Sequence, residues 1–149
     1  MDYMHVQNIA MLLSIDDSFK YRVLYSTHKR KASKKDTLEL VNKIISKYEA
    51  RGLTVVQING DNEFECIRED IRPITLNIVA AEEHVGSIER GIRTNKDDTR
   101  AHIHRIPYTH YPVCMVEGAQ KHSVIRRNNL PALNVLSKSR NTHHGTPNT

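Results

Sequence analysis

From Met4 to Ile15 the chain is mostly apolar, and from Phe19 to Tyr25 apolar and polar positions alternate around Tyr21, Val23 and Tyr25. Asp16-Asp17-Ser18 between these stretches is turn-forming, so the pair predicts a β-hairpin. Leu38, Val41, Ile44, Ile45 and Tyr48 then recur at the spacing of one helical face, with Asp36 or Thr37 as the cap and Gly52 as the stop. Leu53 to Ile58 is short and β-branched, which predicts a strand directly after that helix. Asn62 to Asp70 is polar, anchored by Phe64 and Ile67, and Arg72-Pro73 breaks it before a second strand over Ile74 to Val79. A long helix is expected over 86–105, closed by Ile106-Pro107. A weaker helix over 113–127 carries Met115, Val116, Ala119 and Val124. This order of hairpin, helix, strands and helices is the rhythm of a mixed α/β layer fold. From Ala132 onward Ser, Asn, Thr and His dominate, which predicts a disordered polar tail over 132–149 after one domain over 1–131.

Composition narrows the partners. The net charge of +5 and pI near 9.3 favour a polyanionic partner, although a solvated Lys/Arg surface accounts for them equally well. His28-Lys29-Arg30-Lys31 with Lys34-Lys35 forms a basic connection that reads as a solvated loop or as a DNA contact. Cys66 and Cys114 are the only cysteines and stand far apart, so they suggest free thiols rather than a disulfide framework or a metal site. His143-His144 has no neighbouring residues to complete a ligand set. The longest apolar run, Ile9 to Leu13, is too short to span a bilayer, and no signal pattern opens the chain; a nuclear or cytoplasmic location is expected.

Three acidic residues carry candidate chemistry. Asp2 opens the first apolar stretch, Asp61 follows the β-branched run ending in Asn59-Gly60, and Glu89 lies at the start of the long helix. Two carboxylates at strand ends and one on a helix can hold a pair of divalent cations for phosphoryl transfer. Along the helix Glu89, Arg93, Lys96 and Arg100 share one face, so a carboxylate stands in line with a row of cations, while Ile88 and Ile92 can pack inward with Ile103 further along. Each acid alone has a plainer reading. Glu89 with Arg93 is an ordinary helix ion pair, Asp61 is a turn residue, and Asp2 is a solvent-facing terminal residue.

The stretches from Val56 to Glu65 and from Glu83 to Lys96, with Thr75-Leu76-Asn77-Ile78 between them and Arg105-Ile106-Pro107-Tyr108 after, resemble the integrase core of copia-type LTR retrotransposons. The likeness is closest to divergent copies in algal and protist genomes and covers about Asp2 to Pro131. That family is similar to retroviral integrases. The resemblance implies an α/β, RNase H-like fold: a mixed five-stranded sheet flanked by helices, with an Asp, Asp, Glu triad. By resemblance Asp61 matches the second acid, Glu89 the third, and Asp2 falls where the first belongs. It also implies Mg2+ (or Mn2+) at Asp2, Asp61 and Glu89, DNA phosphates at Arg93, Lys96 and Arg100, strand transfer as the reaction, and assembly into a homo-oligomer.

Several features depart from the family. The chain starts one residue before Asp2, which would truncate the first strand, and 27 residues separate Asp61 from Glu89, fewer than usual. The upstream His/Cys zinc module and the other polyprotein enzymes are absent, and Ile125-Arg126-Arg127 stands where the family tends to be apolar and aromatic. These departures suggest a degenerate or fragmentary copy whose catalysis is impaired, with a non-catalytic nucleic-acid-binding remnant or a relic without a selected role as alternatives. An RNase H nuclease shares the fold, but the sequence around Glu89 does not look like that family.

Overall fold

A computed structural model describes residues 1–78 and 86–130. The proposed tail over 132–149, its His143-His144 pair, and residues 79–85 of the resemblance lie outside the described residues. Five strands and three α-helices follow one another: β1 (Asp2–Val6), β2 (Ile9–Ile15), β3 (Arg22–Ser26), α1 (Lys34–Glu49), β4 (Gln57–Gly60), β5 (Thr75–Ile78), α2 (Gly86–Ile103) and α3 (Val113–Asn129), with a 3-10 helix, Asn62–Ile67, between β4 and β5.

The expected hairpin is in fact a three-strand meander. β1 pairs antiparallel with β2 from Asp2↔Leu13 to Val6↔Ile9, and β2 pairs antiparallel with β3 from Met11↔Ser26 to Ile15↔Arg22. The Met4–Ile15 stretch folds back on itself because Gln7 and Asn8 both take left-handed backbone angles, φ 45° and 65°. Two such residues make the tight turn whose twist suits a hairpin, and Asn tolerates that region. β1, five residues long, is paired with β2 along its whole length.

α1 is capped by Ser33, not by Asp36 or Thr37. Ser33 Oγ accepts from the Asp36 amide at 3.2 Å while Asp36 Oδ2 accepts from the Ser33 amide at 3.0 Å, a reciprocal capping box. Lys29 Nζ donates to both Asp36 oxygens, at 2.8 and 3.0 Å, and these bonds hold the Asp36 carboxyl well below the usual range. Part of the basic connection is therefore spent on fixing the helix start. Gly52, at φ 74°, turns the chain out of α1 as the sequence suggests.

The expected strand at Leu53 to Ile58 lies further along, at Gln57–Gly60, because pairing and not propensity sets its limits. β4 pairs parallel with β5 from Gln57↔Thr75 to Gly60↔Ile78, and the Thr75 amide donates to Val56 O at 3.0 Å just before that ladder. The chain reaches β5 through a cis Arg72–Pro73 bond. By hydrogen bonding the five strands form two sheets, of three and two strands, and not the expected single sheet. Across the gap the Met1 ammonium donates to Asn59 O at 2.5 Å.

Two apolar clusters hold the layers together. α1 (Leu40, Val41, Ile44, Ile45, Tyr48) buries its face with Leu12, Val23, Ile58, Phe64, Ile67 and Leu76. On the other side Ile88 of α2 and Val124 of α3 pack on Met4, Met11, Leu13 and Leu24. Burial of these side chains is the main stabilising term, about 1.5–3 kcal/mol for each large one.

α2 and α3 meet through polar groups. Asn95 and Gln120 are buried and hydrogen-bonded to each other, and Thr99 and Ser123 are buried beside them. Arg127 grips Asp98 by two bonds of 2.6 and 2.7 Å, which lower the Asp98 carboxyl. The apolar face expected for α3 is therefore only partly correct: Val116 and Val124 are buried, but so are Glu117, Gln120 and Ser123.

Candidate functional site

The strand ends bring two of the three predicted acids to one region. Asp2 begins β1, and Asp61 directly follows β4. The chain is fixed here in two ways. Met1 reaches Asn59 of β4, and the Tyr3 ring stacks on Phe64 with centroids 5.6 Å apart and planes 8° from parallel. Tyr3 also shares a 2.9 Å hydrogen bond with Thr37 of α1. Each contact lies next to Asp2 or within three residues of Asp61.

Asp61 caps the 3-10 helix, accepting from the Asn62 amide at 2.6 Å through one oxygen. This local bond orients the carboxylate and leaves acceptor capacity on the group. Gly60 makes the close approach possible, because a Cβ there would lie 2.8 Å from Phe64 Cδ2. Phe64 is fully buried and cannot yield freely. Gly60→Ala is expected to cost about 1–3 kcal/mol through overpacking. A thermal melt checks it, and an unchanged melting temperature would show that the ring relocates without strain.

Asp2 is half-buried, and its carboxyl is pushed above the usual range, first by burial and further by the charges of Asp61 and Glu63, against the Tyr3 amide and the terminal ammonium. Glu63 is thus a carboxylate of this region that sequence reasoning missed. Its spacing in Asp61-Asn62-Glu63 could have raised it, had the segment been read as a helical turn rather than a polar connection.

Glu89 is exposed in the first turn of α2, beside Ile88, which is buried against the β1–β2 layer. Among the described residues no three His, Cys, Asp or Glu side chains stand together as a metal-holding group. The donor set of carboxylate oxygens is the chemistry that suits a hard divalent ion.

The basic row on α2 is unequal. Arg93 is exposed and Lys96 half-buried, whereas Arg100 pairs with Asp97 at 3.1 Å. The pair lies at the surface and contributes little to stability, so Arg100 can exchange Asp97 for another anion. Among the described residues no helix is long and apolar enough to cross a membrane.

No family model and no curated protein matches the sequence. The fold does match a solved structure. The chain is similar to the catalytic core domain of BIV integrase, with a TM-score of 0.65 over 97% of this chain and 96% of that one, at 15% identity. The molecule therefore has the mixed α/β fold of an integrase catalytic core.

Proposed function

We propose that the chain is a DNA-integration core, a metal-dependent polynucleotidyl transferase for 3′-end processing and strand transfer, of the copia-type retrotransposon kind and RNase H-like in fold. The observation that carries this reading is the full-length match to an integrase catalytic core, with Asp2 and Asp61 at neighbouring strand ends. In this reading the two ladders are halves of one five-stranded mixed sheet that meet where Met1 touches Asn59. Asp2, Asp61 and Glu89 would hold Mg2+ or Mn2+. A bound pair would supply Lewis acidity at the attacking and leaving oxygens of a scissile phosphate. Arg93, Lys96 and Arg100 hold the DNA backbone without sequence preference. The active form is a homo-oligomer in the nucleus or cytoplasm.

Asp2→Asn separates function from stability. The raised pKa means that the folded chain binds this proton more tightly than the unfolded chain. Stability therefore falls as pH rises from the ordinary Asp value, about 4, through the raised one. In chelator near neutral pH the variant should melt at or above the parent's temperature and lose that part of the pH dependence. Mn2+ should raise the melting temperature of the parent and not of the variant. Equal cation shifts in both would remove Asp2 from the site.

A second reading, a non-catalytic nucleic-acid binder, is favoured by the lack of an assembled carboxylate group among the described residues. Both readings share the basic row. Arg93→Ala should lower the salt slope of DNA binding by about 1 and weaken binding evenly across sequences. Binding titrations at several salt concentrations check this. Persistence of binding in chelator, with no nicking in Mn2+, would select the second reading.

A further inference from the structure

His102 and His122 face each other across the α2–α3 contact, ring centroids 4.9 Å apart and planes tilted by 53°. His102 is half-buried and His122 exposed, and neither imidazole has a side-chain hydrogen bond or ion pair among the described residues. All their ring nitrogens are therefore uncommitted. Two imidazoles binding one ion at about 2.0–2.1 Å with a tetrahedral angle have ring centres about 5 Å apart. The observed centroid spacing is close to that separation.

We propose that His102 and His122 form a two-histidine site for a borderline divalent transition ion such as Zn2+, Ni2+ or Cu2+, cross-linking α2 to α3. Imidazole nitrogens select such ions over Mg2+ and Ca2+, which take oxygen. Asp98 lies one helical turn before His102 and adds negative charge on that side, but its oxygens are engaged by Arg127 and Ser123. Water fills the remaining coordination positions. The consequence is mechanical. The α2–α3 contact is polar and held by Asn95–Gln120 and Asp98–Arg127, and an ion at the histidine pair would add a further clasp to the helix that carries Glu89. The site is separate from the acids at the strand ends and does not depend on their role.

The test is calorimetric titration of the tag-free full chain with Zn2+ and Ni2+, with thermal melts in parallel. One ion per chain at the histidine pair, beyond any taken by Asp2, Asp61 and Glu89, and a raised melting temperature are expected. His102→Gln and His122→Gln should each weaken binding by about tenfold or more, the loss that even outer-shell changes produce at metal sites. His143→Ala with His144→Ala should leave that ion bound. A stoichiometry that both glutamine substitutions leave unreduced, an ion that vanishes with the tail histidines, or a requirement for two chains per ion overturns the proposal. If the glutamine variants do not fold, Cu2+ titration of the unaltered protein decides. The ring resonances of His102 and His122 should broaden first, and earlier broadening of other histidines contradicts the site.

Discussion

Phe64→Ala should lower the free energy of unfolding by about 3–5 kcal/mol. Phe64 is fully buried, joins the α1 cluster and stacks on Tyr3, so its removal leaves a cavity where the strand ends and α1 come together. Total stabilities of domains are about 5–15 kcal/mol, so this single change takes a large share. Urea unfolding at neutral pH measures it. A loss under about 1 kcal/mol would mean that the region around Asp61 collapses around the gap and that Phe64 is not what fixes it. The same substitution should loosen Asp61, which lies three residues away, and so reduce activity even where the chain stays folded.

Asp61→Asn should have the opposite signature. Asparagine caps a helix about as well as aspartate, so the bond to the Asn62 amide survives and the melting temperature changes little. The negative charge is lost, and with it the hold on a divalent cation that we propose for this carboxylate. Mn2+-dependent nicking or strand transfer on labelled DNA should fall by about a hundredfold or more, the penalty expected when a reacting group is misplaced. A variant that retains parental rates would exclude Asp61 from the chemistry. A variant that loses activity only because it unfolds would show a lowered melting temperature, which separates the two causes.

Helices are the most legible part of the sequence: in α1 the apolar residues recur without interruption, and α2 is closed by Ile106-Pro107. The buried face of α1 agrees with the periodicity, and α2 and α3 end within two residues of the expected bounds. Phe64 and Ile67 were legible as anchors because they are the large apolar residues of a polar stretch. The Gln7-Asn8 turn was hidden, since neither residue is a glycine and the apolar composition runs through both strands. Strand limits at β4 were hidden for a different reason: its partner β5 lies many residues away, and the ladder rather than the β-branched run decides where it begins.

The candidate site was legible only in part. Asp2 and Asp61 stand at strand ends that local pattern could suggest but not bring together; Met1–Asn59 and Tyr3–Phe64 do that through space. Glu63 was missed because a short 3-10 helix leaves almost no periodic trace. The polar character of the α2–α3 contact was also missed. Across the two helices buried Asn95 donates to Gln120 and buried Ser123 donates to Asp98, and periodicity searches look for apolar residues.

Convergence of Asp2, Asp61 and Glu89 on divalent cations can be seen by anomalous diffraction from crystals of the protein grown with Mn2+. Mn2+ density bound by Asp2 and Asp61 is expected, with Glu89 drawn in from α2 to complete the oxygen ligands. Mn2+ density confined to other parts of the molecule, with these three carboxylates left apart at saturating Mn2+, would contradict it.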